Sequence, residues 1–220
     1  ITTRLVGSEM CIRDRPMTVG NLLQQLYNIA DTLIIGQFVG ANALAAVGSS
    51  YTLMTFLTSI LLGLSMGSGV AVSIAFGQKD WDRLKRGVFL SFSGIGLAAV
   101  ALSSLAFLGI DEIMRLLQVP EEIYELMRRY LLVIFTGIGG TFLYNYLACL
   151  LRAIGNSVTP LIFLGISAVL NVVLDLLFVL SAGWGVAGAA FATVIAQWLS
   201  GIGLILYTCL LYTSTSPRDA

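Results

Sequence analysis

Histidine is absent from the 220 residues, and only 11% of them are charged, against about 25% in a typical soluble domain. The first absence removes imidazole acid–base catalysis and most histidine metal sites. The second removes a soluble globular fold. With 57% hydrophobic residues and a mean hydropathy of +0.91, in runs long enough to cross a bilayer, the sequence reads as a polytopic membrane protein. Twelve basic and twelve acidic residues cancel, so nothing in the charge balance points to nucleic acid. Cysteine is scarce as well, at three residues.

The two ends differ from what lies between them. Residues 6–15 read VGSEMCIRDR and residues 209–220 read CLLYTSTSPRDA. Back-translated, the first contains AGATGTGTATAAGAGACA. Its reverse complement, TGTCTCTTATACACATCT, encodes CLLYTS, the start of the second. One DNA element read from opposite strands accounts for both ends, and it looks like a transposase sequencing adapter. The expectation is therefore that residues 1–15 (1–3 of uncertain origin) and 209–220 are adapter-derived tails around an interpretable stretch, 16–208. Cys11 and Cys209 then drop out, leaving Cys149 alone, with no disulfide or metal framework.

Six apolar segments follow: Pro16–Val39, Ala43–Phe76, Leu84–Ile110, Tyr130–Ile154, Pro160–Leu180 and Val186–Thr208. Helices are expected, because only they close their backbone hydrogen bonds within a span this long. Glycines such as Gly63, Gly67 and Gly185 read as helix-packing surface. Trp81 and Trp184 fall at span ends, where they read as interface anchors. Lys79, Arg83, Lys85 and Arg86 lie between spans two and three, and Arg152 ends span four. The opposite face has Arg115, Arg128 and Arg129. This bias places the basic face, and both ends of the interpretable stretch, in the cytoplasm. The outer connection, Asp111–Arg129, has helical apolar spacing around Pro120 and is expected to lie along the interface. Its Asp111, Glu112, Glu121, Glu122 and Glu125 read as a solvated face.

Two ionisable side chains remain well inside spans: Asp31 in the first and Asp175 in the fifth, with no span-interior Lys or Arg to neutralise them. An aspartate at mid-helix costs about 3 kcal/mol on insertion scales. Both should face a cavity or the bundle interior, where water, a proton or a metal cation compensates. Gln24, Asn28 and Asp31, four and three apart, form one polar stripe on the first helix. Asn171 and Asp175, four apart, share a face of the fifth. Carboxylate and amide oxygens suit a hard cation such as Na⁺; two neighbouring desolvated carboxyls suit a proton carrier equally. Whether Gln24 and Asn28 line such a site or only bond between helices stays open. Gly63–Gly67, GLSMG, matches the G-x-S-x-G nucleophile pattern, but that pattern needs a strand-to-helix turn and a histidine base. No phosphate-binding Gly-Lys loop is present, so ATP is not indicated.

PMTVGNLLQQLYNIADTLIIGQFVGANALAAVGSS, from Pro16, resembles the start of the multidrug and toxic compound extrusion (MATE) transporters, whose first helix carries an aspartate in this setting. LLRAIGNSVTP, Leu150–Pro160, is similar to that family's connection between helices four and five. GWGVAGAAFATVIAQ, Gly183–Gln197, is similar to the start of its sixth helix. The resemblance implies an all-α membrane protein: six transmembrane helices forming the N-terminal lobe of a twelve-helix, two-lobe transporter whose C-terminal lobe is missing. It implies export of amphipathic, often cationic, organic compounds by alternating access, coupled to Na⁺ or H⁺, without enzymatic activity or cofactor. The family's cation site maps onto Asp31, Asn171 and Asp175, with Thr193 as the sixth-helix threonine and Asn145 as a fourth-helix asparagine. Pro16 matches a first-helix proline that bends in some members. The implied location is the plasma membrane of a prokaryotic cell. Two other readings remain: a lipid-linked oligosaccharide flippase or polysaccharide exporter of related architecture, and a non-transporting membrane scaffold.

Overall fold

The computed structural model describes residues 2–214, with side chains for residues 18–20 and 22–210. The order is α1 (Thr2–Phe38), α2 (Ala41–Gly77), α3 (Trp81–Leu108), α4 (Ile110–Leu116), α5 (Glu121–Thr136), α6 (Ile138–Ala153), α7 (Val158–Asp175), a π-helical segment (Leu176–Ser181) and α8 (Gly185–Ser214). There is no strand among the described residues. Helices α1 and α8 run without interruption past residues 15–16 and 208–209, so secondary structure does not mark the expected tail boundaries. Residues 215–220 of the second expected tail, and the side chain of Pro16, lie outside the described set.

Helices α2, α3, α7 with its π segment, and α8 are each long and apolar enough to cross a membrane. The fourth expected span is two helices, α5 and α6, bent by 47°. The break falls at Gly137, where an added Cβ would sit 2.8 Å from Val194 of α8. Breaking a helix at bilayer depth frees carbonyls, and neighbours satisfy them. Ser103 Oγ of α3 donates to Phe135 O at 2.9 Å, and Trp198 Nε1 of α8 donates to Thr136 O at 3.3 Å.

Helices α6 and α8 sit at the centre. They approach closely because Gly140 and Gly201 face the partner backbone: a Cβ on Gly140 would lie 3.0 Å from Trp198 N. Close approach through small residues is how membrane helices gain packing without a hydrophobic drive. Around this crossing Leu61, Met114, Met127, Leu131, Phe135 and Tyr146 form the larger apolar cluster. A second cluster, with Ile34, Ile35, Val179, Val186 and Ala190, joins α1, the π segment and α8. Gly63 and Gly67 do not pack against another helix of this chain, contrary to the reading above: both are exposed, and a Cβ on either would touch nothing within 4 Å. The buried face of α2 instead runs through Leu61, Ser65, Gly69 and Val72, with Gly69 against Cys149 of α6. The Ser65 hydroxyl donates to Leu61 O at 2.7 Å.

The outer connection is packed more closely than an interfacial helix would be. Ile110 and Met114 of α4, and Ile123 and Met127 of α5, are buried together in the larger cluster. Glu112, Glu121, Glu122 and Glu125 are exposed as expected, but Asp111 is not merely solvated. It accepts from Arg128 Nε at 3.0 Å and from the Tyr124 hydroxyl at 3.1 Å, tying α4 to α5. The Arg128 guanidinium, and then the Tyr124 hydroxyl, hold its carboxyl below the usual carboxylate range. A carboxyl lowered in this way contributes stability above its unfolded value, which is lost as pH falls through the folded value. Docking of α4 is thus expected to be constant above about pH 5 and to weaken below about pH 4. A spin label at Leu116, 84% exposed, should become more mobile on acidification, and Asp111→Asn should give the mobile spectrum at every pH.

Candidate functional site

Asp31 and Asp175 meet at the junction of α1, α7 and α8. Asp31 is 7% exposed and Asp175 fully buried. Their carboxyl groups lie within hydrogen-bonding reach of each other. Neither takes part in an ion pair, since all three ion pairs among the described residues lie between residues 111 and 129. One oxygen of each, Oδ1, is buried without a hydrogen-bond partner. Buried acceptors are normally satisfied, and two carboxyls in contact need positive charge from a proton or a cation. The orphaned oxygens fit either.

Around the pair, the Asn171 amide is satisfied at both ends in one orientation. Its Nδ2 then donates to Asp175 Oδ2 at 3.1 Å, and its Oδ1 accepts from Thr193 Oγ1 at 3.2 Å. Asn171 is one helical turn before Asp175, so both project from the same side of α7 toward Thr193 of α8. Tyr27 of α1 faces Asp31, Asp175 and Thr193, and Tyr130 of α5 faces both acids and Tyr27. The chain beyond Asp175 turns into the π segment, whose i→i+5 pattern shows in Ala182 N donating to Leu177 O at 3.0 Å. Irregular turns of this kind recur at functional sites. Gly188 of α8 packs against it, where a Cβ would lie 3.1 Å from the Phe178 backbone.

A cavity of about 60 Å³, its largely apolar wall carrying several polar groups, opens beside the acids, between α1, α6, α7 and α8. That is space for several waters. Asn171 and Thr193 belong to both the carboxyl centre and the cavity wall. Gln24 and Tyr27 line it from α1, Thr141 and Asn145 from α6, Ser167 from α7, and Gln197 and Ser200 from α8. Of the residues singled out above, Asp31, Asn171, Asp175 and Thr193 come together directly. Gln24 and Asn145 reach the cavity; the Asn145 Nδ2 donates to Thr141 O at 2.9 Å. Asn28 does not line it, and donates instead to Gln25 Oε1 at 3.3 Å along its own helix. Sequence reasoning missed Tyr27, Thr141, Gln197 and Tyr130. The first three were reachable: each stands four residues from a residue already chosen, Asp31, Asn145 and Thr193, and so shares its helix face. Tyr130 is a contact between helices and gives no local signal.

A family model, MatE, matches residues 16–177. The curated proteins most similar to the chain include "Probable multidrug resistance protein YpnP" of Bacillus subtilis, 31% identical over 202 residues, covering 92% of this chain and 45% of that protein. "Multidrug export protein MepA" of Staphylococcus aureus is 31% identical over 198 residues, covering 87% of this chain and 43% of its own length. Among solved structures, a multidrug resistance MATE family transporter in an outward-facing conformation superposes with a TM-score of 0.84 at 26% identity. That match covers 90% of this chain and 44% of the other. The chain therefore spans under half the length of the relatives it matches.

Proposed function

Since the chain belongs to the MatE family, we propose that it is the N-terminal lobe of a cation-coupled exporter of amphipathic organic compounds, with Asp31 and Asp175 as the ion-coupling pair. The observation that carries this reading is the pair of orphaned, buried carboxyl oxygens at a junction of three helices. Such a pair gains free energy from an arriving cation or proton and loses it on release, the differential interaction that a coupled transporter needs. Asn171 and Thr193 supply further oxygen atoms to the ion. The cavity lets water reach it, and Asn145 and Gln24 lie on that path. Because Asp31 belongs to α1 while Asp175 and Thr193 belong to α7 and α8, ion occupancy changes how strongly α1 is held to the other two. Alternating access in the assembled two-lobe transporter uses that change, and the exported compounds are drugs, the cargo that the relatives' names give for those proteins. The basic α2–α3 connection, with Lys79, Arg83, Lys85 and Arg86, faces the cytoplasm.

The test is dye efflux from proteoliposomes containing the two-lobe transporter that carries this lobe. An inward gradient of Na⁺ or of H⁺ should drive efflux of a cationic dye, and an ionophore that collapses that gradient should stop it. Gradient-independent dye movement, or none with either ion, would overturn the proposal in favour of the scaffold reading. A flippase needs basic groups in its central cavity for an anionic lipid, whereas the spans carry no interior Lys or Arg.

A further inference from the structure

The two ends of α3 differ in how their charges are satisfied. All three ion pairs among the described residues are on the α4–α5 side. At the α2–α3 turn, Lys79, Arg83, Lys85 and Arg86 are all exposed, and none is paired with a carboxylate. The two acids among them are otherwise engaged or turned aside. Asp80 caps α3, accepting from Arg83 N at 3.0 Å. Arg86 Nε donates to the backbone carbonyl of Asp82, at 3.3 Å, rather than to its carboxylate. Three of the cations stand in the first two turns of α3, where the helix dipole disfavours positive charge. The fourth, Lys79, is held at φ 57, a backbone conformation that costs a residue with a side chain about 1 kcal/mol or more.

Location specifies what neutralises these charges. The turn joins two membrane-crossing helices, so residues 78–86 stand at the level of the lipid headgroups. Trp81, packed edge-on against Phe76, marks that level. Helix α3 is the least buried of the crossing helices. Directly below Lys85 and Arg86, at the next turn, Phe89 and Leu90 are 70% and 68% exposed. Cations one helical turn above an outward apolar step match an amphiphile with an anionic head and an acyl tail.

We infer that the α2–α3 turn and the first three turns of α3 bind an anionic phospholipid, its phosphate against Arg83, Lys85, Arg86 and Lys79 and its upper acyl carbons against Phe89 and Leu90. A soluble phosphate or an acidic protein would use the charges alone. The apolar step favours the lipid.

The test uses the full 220-residue chain in vesicles of phosphatidylcholine carrying equal trace amounts of spin-labelled phosphatidylglycerol or spin-labelled phosphatidylcholine. The motionally restricted fraction should show phosphatidylglycerol preferred by about fivefold, the effect of one fully engaged surface cation. The preference should fall as salt is raised. It should vanish in the K79Q/R83Q/K85Q/R86Q chain and weaken in the F89Q/L90Q chain. Equal restriction of the two lipids, or a preference that survives the four glutamines, would overturn the inference. So would release of the labelled phosphatidylglycerol by inorganic phosphate at constant ionic strength, which would assign the cations to a free anion. If the four-glutamine chain does not insert, the salt titration of the unsubstituted chain decides, and a salt-independent preference refutes the site.

Discussion

Asp31→Asn and Asp175→Asn are each expected to abolish gradient-driven efflux in the two-lobe transporter while leaving insertion and folding intact. Asparagine keeps the size of aspartate and can hydrogen-bond to the remaining carboxyl, so the junction of α1, α7 and α8 stays closed. What it removes is the negative charge that a cation requires and the oxygen that a proton would occupy. A hydrogen bond to a charged group is worth about 1.5–3 kcal/mol, so ion binding should weaken by about 10- to 150-fold for either single change. Because the two carboxyls lie against each other, the effects should not add. The double variant should be little worse than either single one, as for residues that act as a unit. Ion-dependent quenching of tryptophan fluorescence measures binding, and dye efflux measures coupling. Normal efflux in both single variants would remove these acids from the mechanism; additive losses would separate them into two sites.

The second large effect concerns the crossing that holds the lobe together. Gly140→Leu is expected to destabilise the chain by about 3 kcal/mol or more, lowering the midpoint of thermal unfolding by about 10 °C. The argument is geometric. The space beyond Gly140 Cα is filled by the Trp198 backbone, at 3.0 Å from N and 3.2 Å from Cα for an added Cβ. A rotamer change cannot relieve contact with backbone, so α8 must move away from α6. Gly94→Leu is the control, since a Cβ there meets nothing within 4 Å and the new side chain enters lipid. Unfolding followed by size-exclusion fluorescence should separate the two variants clearly. Equal midpoints would mean that the α6–α8 crossing yields more easily than its backbone contacts suggest.

The site was legible in the sequence where a physical cost was visible there. A charge inside an apolar span is costly wherever it occurs, and following Asp31 and Asp175 with the four-residue helix period brought in Asn171. Thr193 and Asn145 came from the resemblance alone. Asn28, three residues from Asp31, was chosen over Tyr27, four residues from it, because an amide looks polar in sequence and a tyrosine looks like core. In the structure the amide turns back along its own helix while the phenol faces the acids. Five of the six segments, all but the polar first one, reappear as helices or a bent helix pair long and apolar enough to cross a membrane, because spans need length and apolarity. The break at Gly137 was not legible, since its setting, with Val194 of α8 filling the space beyond the glycine, involves another helix. Nor was the π turn after Asp175, which changes one hydrogen-bond register without altering the apolar pattern. Asp111 read as solvated because its partner Arg128 is seventeen positions away.

The broken α5–α6 pair also limits how this lobe can deform. Two carbonyls at the break, on Phe135 and Thr136, accept from side chains of α3 and α8. Sliding either neighbour along the break would cost one of these hydrogen bonds, about 1 kcal/mol or more. The break thus acts as a rivet through α3, α5 and α8. Among the described residues, helix α1 leans chiefly on α7 and meets the buried centre of the lobe through Asp31 and Tyr27. Any bending that accompanies ion release should therefore appear in α1 alone, with the riveted helices keeping their mutual distances.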